Sequence, residues 1–150
     1  MPQARLAISS DLSSVLELFA QANVSAHAKP IEKARKIWAY TLAQQGVFVF
    51  VSDAGTRIAA TCMLITAPNL LREGRKHGFI ENVVTHADFQ RRGHGSAVIR
   101  AALDMAWAED CHHVLLQSGR TDPGVHSFYE GCGFEGGLRI GYVAKRPLES

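Results

Sequence analysis

Two glycines one residue apart, Gly93 and Gly95, head a stretch in which Ala97, Val98, Ala101, Ala102, Met105 and Ala106 recur at helical spacing. Glycines at a helix start let backbone amides approach a ligand closely, and the helix dipole adds positive potential there. Arg91 and Arg92 bring charge that can reach phosphate oxygens, and Gln90 brings a hydrogen-bonding amide. Residues 90–95, Gln-Arg-Arg-Gly-His-Gly, are therefore expected to form an anion-binding loop. The plainer alternative is that Gly93 only breaks the loop and Gly95 only permits close packing. Neither of two other phosphate motifs is present: a dinucleotide fingerprint needs a third glycine, and the loop of nucleotide hydrolases needs Gly-Lys-Ser/Thr.

The elements around this loop follow from pattern. Arg5-Leu6-Ala7-Ile8 is a short strand, and Ser9-Ser10-Asp11 offers N-cap oxygens to a helix with Leu12, Val15, Leu16 and Phe19 on one face. Pro30 suits the first turn of a second helix through Ile31, Ala34, Ile37, Trp38 and Leu42, ended by Gly46. Val47 to Val51 and Arg57 to Thr66 form a hairpin about the turn Asp53-Ala54-Gly55-Thr56. Pro68 to Gly78 is a polar, basic loop, and Phe79 to Thr85 is a strand leading to residues 90–95. His113 to Gln117 is a buried strand, Asp122-Pro123 caps a helix over Val125 to Glu130, and Gly131 and Gly133 end it. Phe134 and the segment Leu138 to Ala144 supply one or two last strands. The order β-α-α-β-β-β-α-β-α-β predicts a mixed sheet flanked by helices.

A chain of 150 residues fits a single domain that buries roughly two thirds of its unfolded surface. Apolar residues at 47% and charged residues at 20% are globular values. A net charge of +2 is too small for a nucleic-acid surface. No apolar run approaches a membrane span, and the start lacks an apolar leader, so a cytoplasmic location is expected. Cys62, Cys111 and Cys132 are odd in number and sit in apolar or helical stretches, as reduced thiols do. The seven histidines show no ligand spacing, and no metal site is expected.

Residues 90–95 match the Gln/Arg-x-x-Gly-x-Gly/Ala signature that follows a strand and opens a helix, and the chain resembles the GNAT N-acetyltransferase superfamily. The preceding Ile80-Glu81-Asn82-Val83-Val84-Thr85-His86 and the later Phe128-Tyr129-Glu130-Gly131-Cys132-Gly133-Phe134 extend the resemblance, the latter to the family's Phe-Tyr-x-x-x-Gly-Phe element. The same two segments also resemble glucosamine 6-phosphate N-acetyltransferases, although such short motifs recur across the superfamily. Ala87 stands where the family often has proline, and Thr85 where it often has valine. The resemblance implies one domain over residues 1–150, of α/β (α+β) class, with a mixed, mostly antiparallel sheet of about six to seven strands and about four helices.

It also implies an acyltransferase that moves an acetyl group from acetyl-CoA to a primary amine on a small molecule. In the family the strand corresponding to residues 83–85 splays from its neighbour, so that backbone atoms of Val83, Val84 and Thr85 would meet the pantetheine arm and the thioester carbonyl. The loop Gln90, Arg91, Arg92, Gly93, His94, Gly95 and Ser96 would hold the pyrophosphate, and Ser118 would touch pantetheine. An amide aimed at the thioester oxygen stabilises the developing oxyanion by roughly 3 to 4 kcal/mol in measured enzymes.

Alkylamines and phenols have ordinary pKa values of about 10 and thiols of about 8.5, so the amine must shed a proton and the leaving thiolate must gain one. Tyr129 matches the family's general-acid tyrosine; the alternative is a packing tyrosine with its hydroxyl at the surface. Glu81 is the leading base, directly or through water, against a plain salt bridge with an arginine. Strand alternation sets it on the face of Val83 and opposite Asn82. His86 is a third candidate. The basic residues Arg72, Arg75 and Lys76, with Trp38 and Tyr40, fall where the family builds its acceptor pocket; if the cations face it, an acidic or phosphorylated acceptor follows. A non-catalytic acetyl-CoA sensor of the same fold is the competing reading. Members are often homodimers, so a homodimer is the assembly to test for.

Overall fold

Val47–Phe50 and the apolar half of Arg57–Ala67 alternate or run in β-branched and aromatic residues, and in the computed structural model, which describes residues 1–148, they pair as the centre of a sheet. The strands are β1 (Ala4–Leu6), β2 (Val47–Ala54), β3 (Arg57–Ala67), β4 (Lys76–Thr85) and β5 (Cys111–Leu115), and they lie in sequence order across the sheet. The pairs β1–β2, β2–β3 and β3–β4 are antiparallel, and β4–β5 is parallel. The helices are α1 (Leu12–Ala22), α2 (Ile31–Ala43), α3 (His94–Ala108) and α4 (Pro123–Gly131). The chain divides into two compact units, Met1–Leu116 and Gln117–Ser150.

In the first unit, register assigns the two faces of the sheet. Phe48, Leu64 and Ile80 stand opposite one another, as do Ser52, Ala60 and Thr85, so these share a face with Phe50 and Cys62. Helix α3 covers it: the Cys62 thiol donates to the Val98 carbonyl, and His94 meets Ser52. The other face carries Val51, Ile58 and Val84 in one buried cluster with Val15 and Leu18 of α1. Trp38 of α2 packs against that cluster, its indole N–H shared between the Ile8 and Ser9 carbonyls. Gly78 admits β5, since a Cβ there would stand 3.0 Å from the His113 carbonyl oxygen.

Asp11 stands at the expected helix start, but its carboxylate does not cap α1. It accepts from the Ile8 amide at 2.7 Å and from Arg5, which also binds Asp53. Arg5 thereby ties β1, the turn before α1 and the end of β2. The arginine holds the Asp11 carboxyl below the usual carboxylate range.

The expected class holds, with fewer strands than expected. Among the described residues five strands form; residues 138–148 adopt no strand, and Leu138, Ile140, Tyr142 and Val143 are exposed. Alternating apolar residues make a strand only where a partner completes the ladder, and residues 138–144 pair with none. Strand β4 also begins earlier than expected, at Lys76, and β5 occupies Cys111–Leu115 instead of residues 113–117. No described helix is long and apolar enough to cross a membrane.

Candidate functional site

The centre of β4 departs from regular pairing. Thr61 faces Val84 and Met63 faces Glu81, so Asn82 and Val83 together oppose the single residue Cys62. This is a β-bulge, and Asn82 takes a left-handed backbone with φ 53°, a conformation asparagine tolerates better than most residues. The bulge corrects the simple alternation: Glu81 shares a face with Val84, not with the residue two positions on. Glu81 and Asn82 are exposed, Val83 and Thr85 are half-buried, and Val84 is buried. Glu81 makes no ion pair among the described residues.

On its other edge β4 pairs with β5 only from Lys76 to Phe79. From Ile80 to Thr85 it has no strand neighbour on that side within the first unit. Parallel pairing therefore stops at Phe79, before residues 83–85.

Beyond Thr85 a short 3-10 turn, Ala87–Phe89, leads into the glycine loop. Arg91 (φ 63°) and Gly93 (φ 88°) are both left-handed, and Gly93 is the N-cap of α3. The Ala97 amide donates to the Gly93 carbonyl, and the amides of the first turn have no intrahelical acceptor. Gln90, Arg91 and Arg92 are exposed, Gly93 and Ser96 are half-buried, and Gly95 is buried. These features fit a pyrophosphate: a left-handed glycine cap, a helix start and two exposed guanidinium groups. His94 differs from its neighbours. It is 8% exposed, and its Nδ1 lies 2.8 Å from the Ser52 hydroxyl oxygen. Burial, and then the nearby Arg92, hold its pKa below the usual histidine value.

His86 is also buried, at 3% exposure. Its Nε2 lies 2.6 Å from Nη2 of Arg57, at the start of β3, and its Nδ1 lies 3.1 Å from the Asp88 amide. Both contacts come from donors, the Arg57 guanidinium at Nε2 and the Asp88 amide at Nδ1, and Nδ1 also lies 3.9 Å from the Asp88 carboxylate. His86 is thus engaged inside the protein, which weakens it as a base. Arg57 and Arg92 both stack on Phe89, with their guanidinium carbons 5.3 and 5.8 Å from the ring centroid.

In the second unit, Asp122 caps α4 by accepting from the Val125 amide, with Pro123 in the first turn as expected. Tyr129 is half-buried on α4, and its ring meets Phe128 and Phe134 at 5.1 and 6.1 Å between centroids. Phe134 returns to the helix through its amide, which donates to the Tyr129 carbonyl, past the left-handed Gly133. Ser118 lies in the irregular segment before α4, its hydroxyl accepting from the Arg120 amide.

Of the basic residues before and at the start of β4, Arg75 pairs with Asp110 at 3.5 Å and Lys76 with Glu109 at 3.3 Å. Arg72 is exposed and makes no ion pair among the described residues. Tyr40 is exposed, whereas Trp38 is held by its backbone bonds. None of the three cysteines forms a disulfide, and burial pushes the Cys62 thiol up to about 12. No group of three or more histidine, cysteine or acidic side chains is placed to hold a metal ion among the described residues. The structure therefore brings together Arg57, His86, Phe89, Arg92, His94 and Ser52 around the loop. Sequence reasoning did not single out Ser52 and Arg57, because their contacts span 42 and 29 residues.

The pattern for the "Acetyltransferase (GNAT) family" matches residues 12–134. The "Glucosamine 6-phosphate N-acetyltransferase" of Trypanosoma brucei brucei is 30% identical over 132 residues, 88% of each chain. The "Probable glucosamine 6-phosphate N-acetyltransferase 2" of Oryza sativa subsp. japonica is 35% identical over 79 residues, 53% of this chain, and the match spans 46% of that relative's length. Among solved structures, the "Putative acetyltransferase from Agrobacterium tumefaciens str. C58" superposes with a TM-score of 0.88 at 38% identity, covering 96% of this chain and 99% of that one. With the loop, the open edge of β4 and these matches in view, the chain belongs to the acetyltransferase (GNAT) family, whose members are acyltransferases that use acetyl-CoA as co-substrate.

Proposed function

We propose that this protein moves an acetyl group from acetyl-CoA to the primary amine of a small, phosphorylated amino sugar. The observation that carries the reading is the break in β4–β5 pairing after Phe79, on the strand that leads into the Gly93 loop. Together they offer an extended backbone edge for a pantetheine arm and a helix start for a pyrophosphate. The acceptor class rests on similarity to the trypanosomal glucosamine 6-phosphate N-acetyltransferase over 88% of each chain. The exposed Arg72 is a candidate for the acceptor's phosphate. The family match runs from residue 12 to 134 and so crosses the boundary at Leu116, which supports one functional domain over residues 1–150. The reading includes a homodimer, on the strength of the family resemblance, and a cytoplasmic location.

When bound, acetyl-CoA supplies an activated thioester. The backbone of Val83, Val84 and Thr85 lines its acyl end, and an amide of this segment donates to the thioester oxygen as negative charge grows there. Gln90, Arg91, Arg92 and the backbone of Gly93, His94, Gly95 and Ser96 hold the pyrophosphate, and Ser118 contacts the pantetheine arm. Glu81 takes a proton from the acceptor's ammonium group, directly or through water, which frees the nitrogen lone pair. The nitrogen forms a bond to the acyl carbon, the carbon–sulfur bond breaks, Tyr129 gives its proton to the departing sulfur, and the second proton shed by the nitrogen returns to the Tyr129 phenolate. The products are the N-acetyl compound and free coenzyme A.

Release of coenzyme A thiol, followed with glucosamine 6-phosphate and with unphosphorylated glucosamine as acceptors, tests the reading. Saturable turnover with the phosphorylated sugar, and at least about tenfold lower kcat/KM without the phosphate, is expected. Equal rates with both sugars would remove the phosphate from recognition.

A further inference from the structure

The two histidines that bracket the glycine loop are both buried, and both are met from the same hairpin. His94 opens α3 and meets Ser52, near the end of β2; His86 closes β4 and meets Arg57, at the start of β3. The Ser52 side chain is fully buried; its Oγ lies 2.8 Å from His94 Nδ1 and donates to the Gln3 carbonyl oxygen at 3.4 Å. The shorter contact fixes the height of the first residue of α3 over the sheet, and with it the direction of the amides on either side. On the other flank, Arg57 holds the His86 ring and stacks on Phe89, which in turn carries Arg92. The loop is thus fastened at its entry and its exit to the closed end of one hairpin, while Gln90 and Arg91 between them stay exposed.

We propose that Ser52 and Arg57 are positioning residues for the acetyl-CoA loop, acting through His94 and His86, and that they set donor affinity without touching the donor. This rests on the proposed assignment of the loop to acetyl-CoA. Loops with two left-handed residues sample many conformations when unsupported, and each contact that removes alternatives lowers the entropy lost on binding.

The test compares variants of like shape. Ser52→Thr and Ser52→Val add the same bulk to a buried site and differ in the hydroxyl alone, so packing strain cancels between them. Titration with acetyl-CoA is expected to give Ser52→Val a Kd about three- to tenfold above that of Ser52→Thr, the loss of one buried hydrogen bond. In steady state the KM for acetyl-CoA rises by a similar factor, while kcat and the acceptor's KM change less than about twofold. On the half-exposed Arg57 the pair Arg57→Lys and Arg57→Met gives the same contrast in a position where folding is not at stake. Equal affinities within both pairs, with the parent binding acetyl-CoA, would overturn the proposal. A parent that does not bind acetyl-CoA would instead overturn the assignment of the loop.

Discussion

Glu81 and Val84 lie on the same face of the sheet although three residues separate them, because Asn82 and Val83 share one place in the ladder opposite Cys62. Regular alternation would send one of the two to the α3 face. The bulge keeps Val84 in the core beneath α1 and holds Glu81 exposed two residues past the part of β4 that pairs with β5.

The bulge depends on a left-handed residue at 82. Asn82→Val forces a β-branched side chain into that conformation and is expected to cost about 1 to 2 kcal/mol of unfolding free energy. Asn82→Gly should stay within about 0.5 kcal/mol of the parent, since glycine adopts the conformation freely but loses more entropy on folding. Chemical denaturation of the three proteins reads this directly, and a fully stable Asn82→Val would mean that β4 does not bulge in solution.

The Arg5–Asp11 pair makes stability depend on pH. Asp11 has a lowered pKa in the folded protein, chiefly through its bonds from Arg5, so below neutrality the unfolded chain takes up its proton first. The stabilisation is present above the ordinary carboxylate value of about 4 and is lost as pH falls through the lower folded value. Arg5→Met is expected to cost about 1 to 2 kcal/mol at pH 7, a modest sum because the arginine is half-exposed. Thermal melts from pH 7 down to about 3 should show the gap between parent and variant closing; a constant gap would assign the loss to packing of the arginine stem.

Removing the Tyr129 hydroxyl separates catalysis from donor binding. Tyr129→Phe keeps the ring contacts with Phe128 and Phe134, so α4 and the turn to Phe134 should persist. Turnover is expected to fall by about a hundredfold or more, with acetyl-CoA affinity unchanged. An unaltered rate would take Tyr129 out of the proton path.

The parts of this fold legible in the sequence are those governed by local period or local chemistry. The amphipathic stripe of α3, the Asp122-Pro123 start of α4 and the hairpin about Gly55 each follow from residues within one turn or one ladder. The opening between β4 and β5 was accessible only through family resemblance, because a strand of apolar residues does not announce where its neighbour leaves. The bulge was hidden because it is a mismatch of count between two strands; its one local sign is an asparagine where β-branched residues would pair better. The end of the chain misled for the opposite reason. Leu138, Ile140 and Tyr142 carry a strand's alternation, yet residues 138–144 have no ladder. Ser52 and Arg57 lay beyond reach, since nothing in a strand serine or an arginine at a strand start points to a histidine many residues away.

The most direct test of the account is the binding of acetyl-CoA at the loop that opens α3. At a free concentration one hundred times its Kd, acetyl-CoA should add about 2.7 kcal/mol to the parent's stability, seen as a clear rise in Tm. Gly93→Asp sets a carboxylate against the pyrophosphate; its Cβ would stand at an ordinary 3.5 Å from Pro2, but the left-handed backbone costs an aspartate about 1 to 2 kcal/mol, so the variant should melt lower than the parent and show no such rise above its own ligand-free Tm. A parent whose Tm does not move with acetyl-CoA, or a Gly93→Asp variant that is stabilised as fully as the parent, would contradict the assignment.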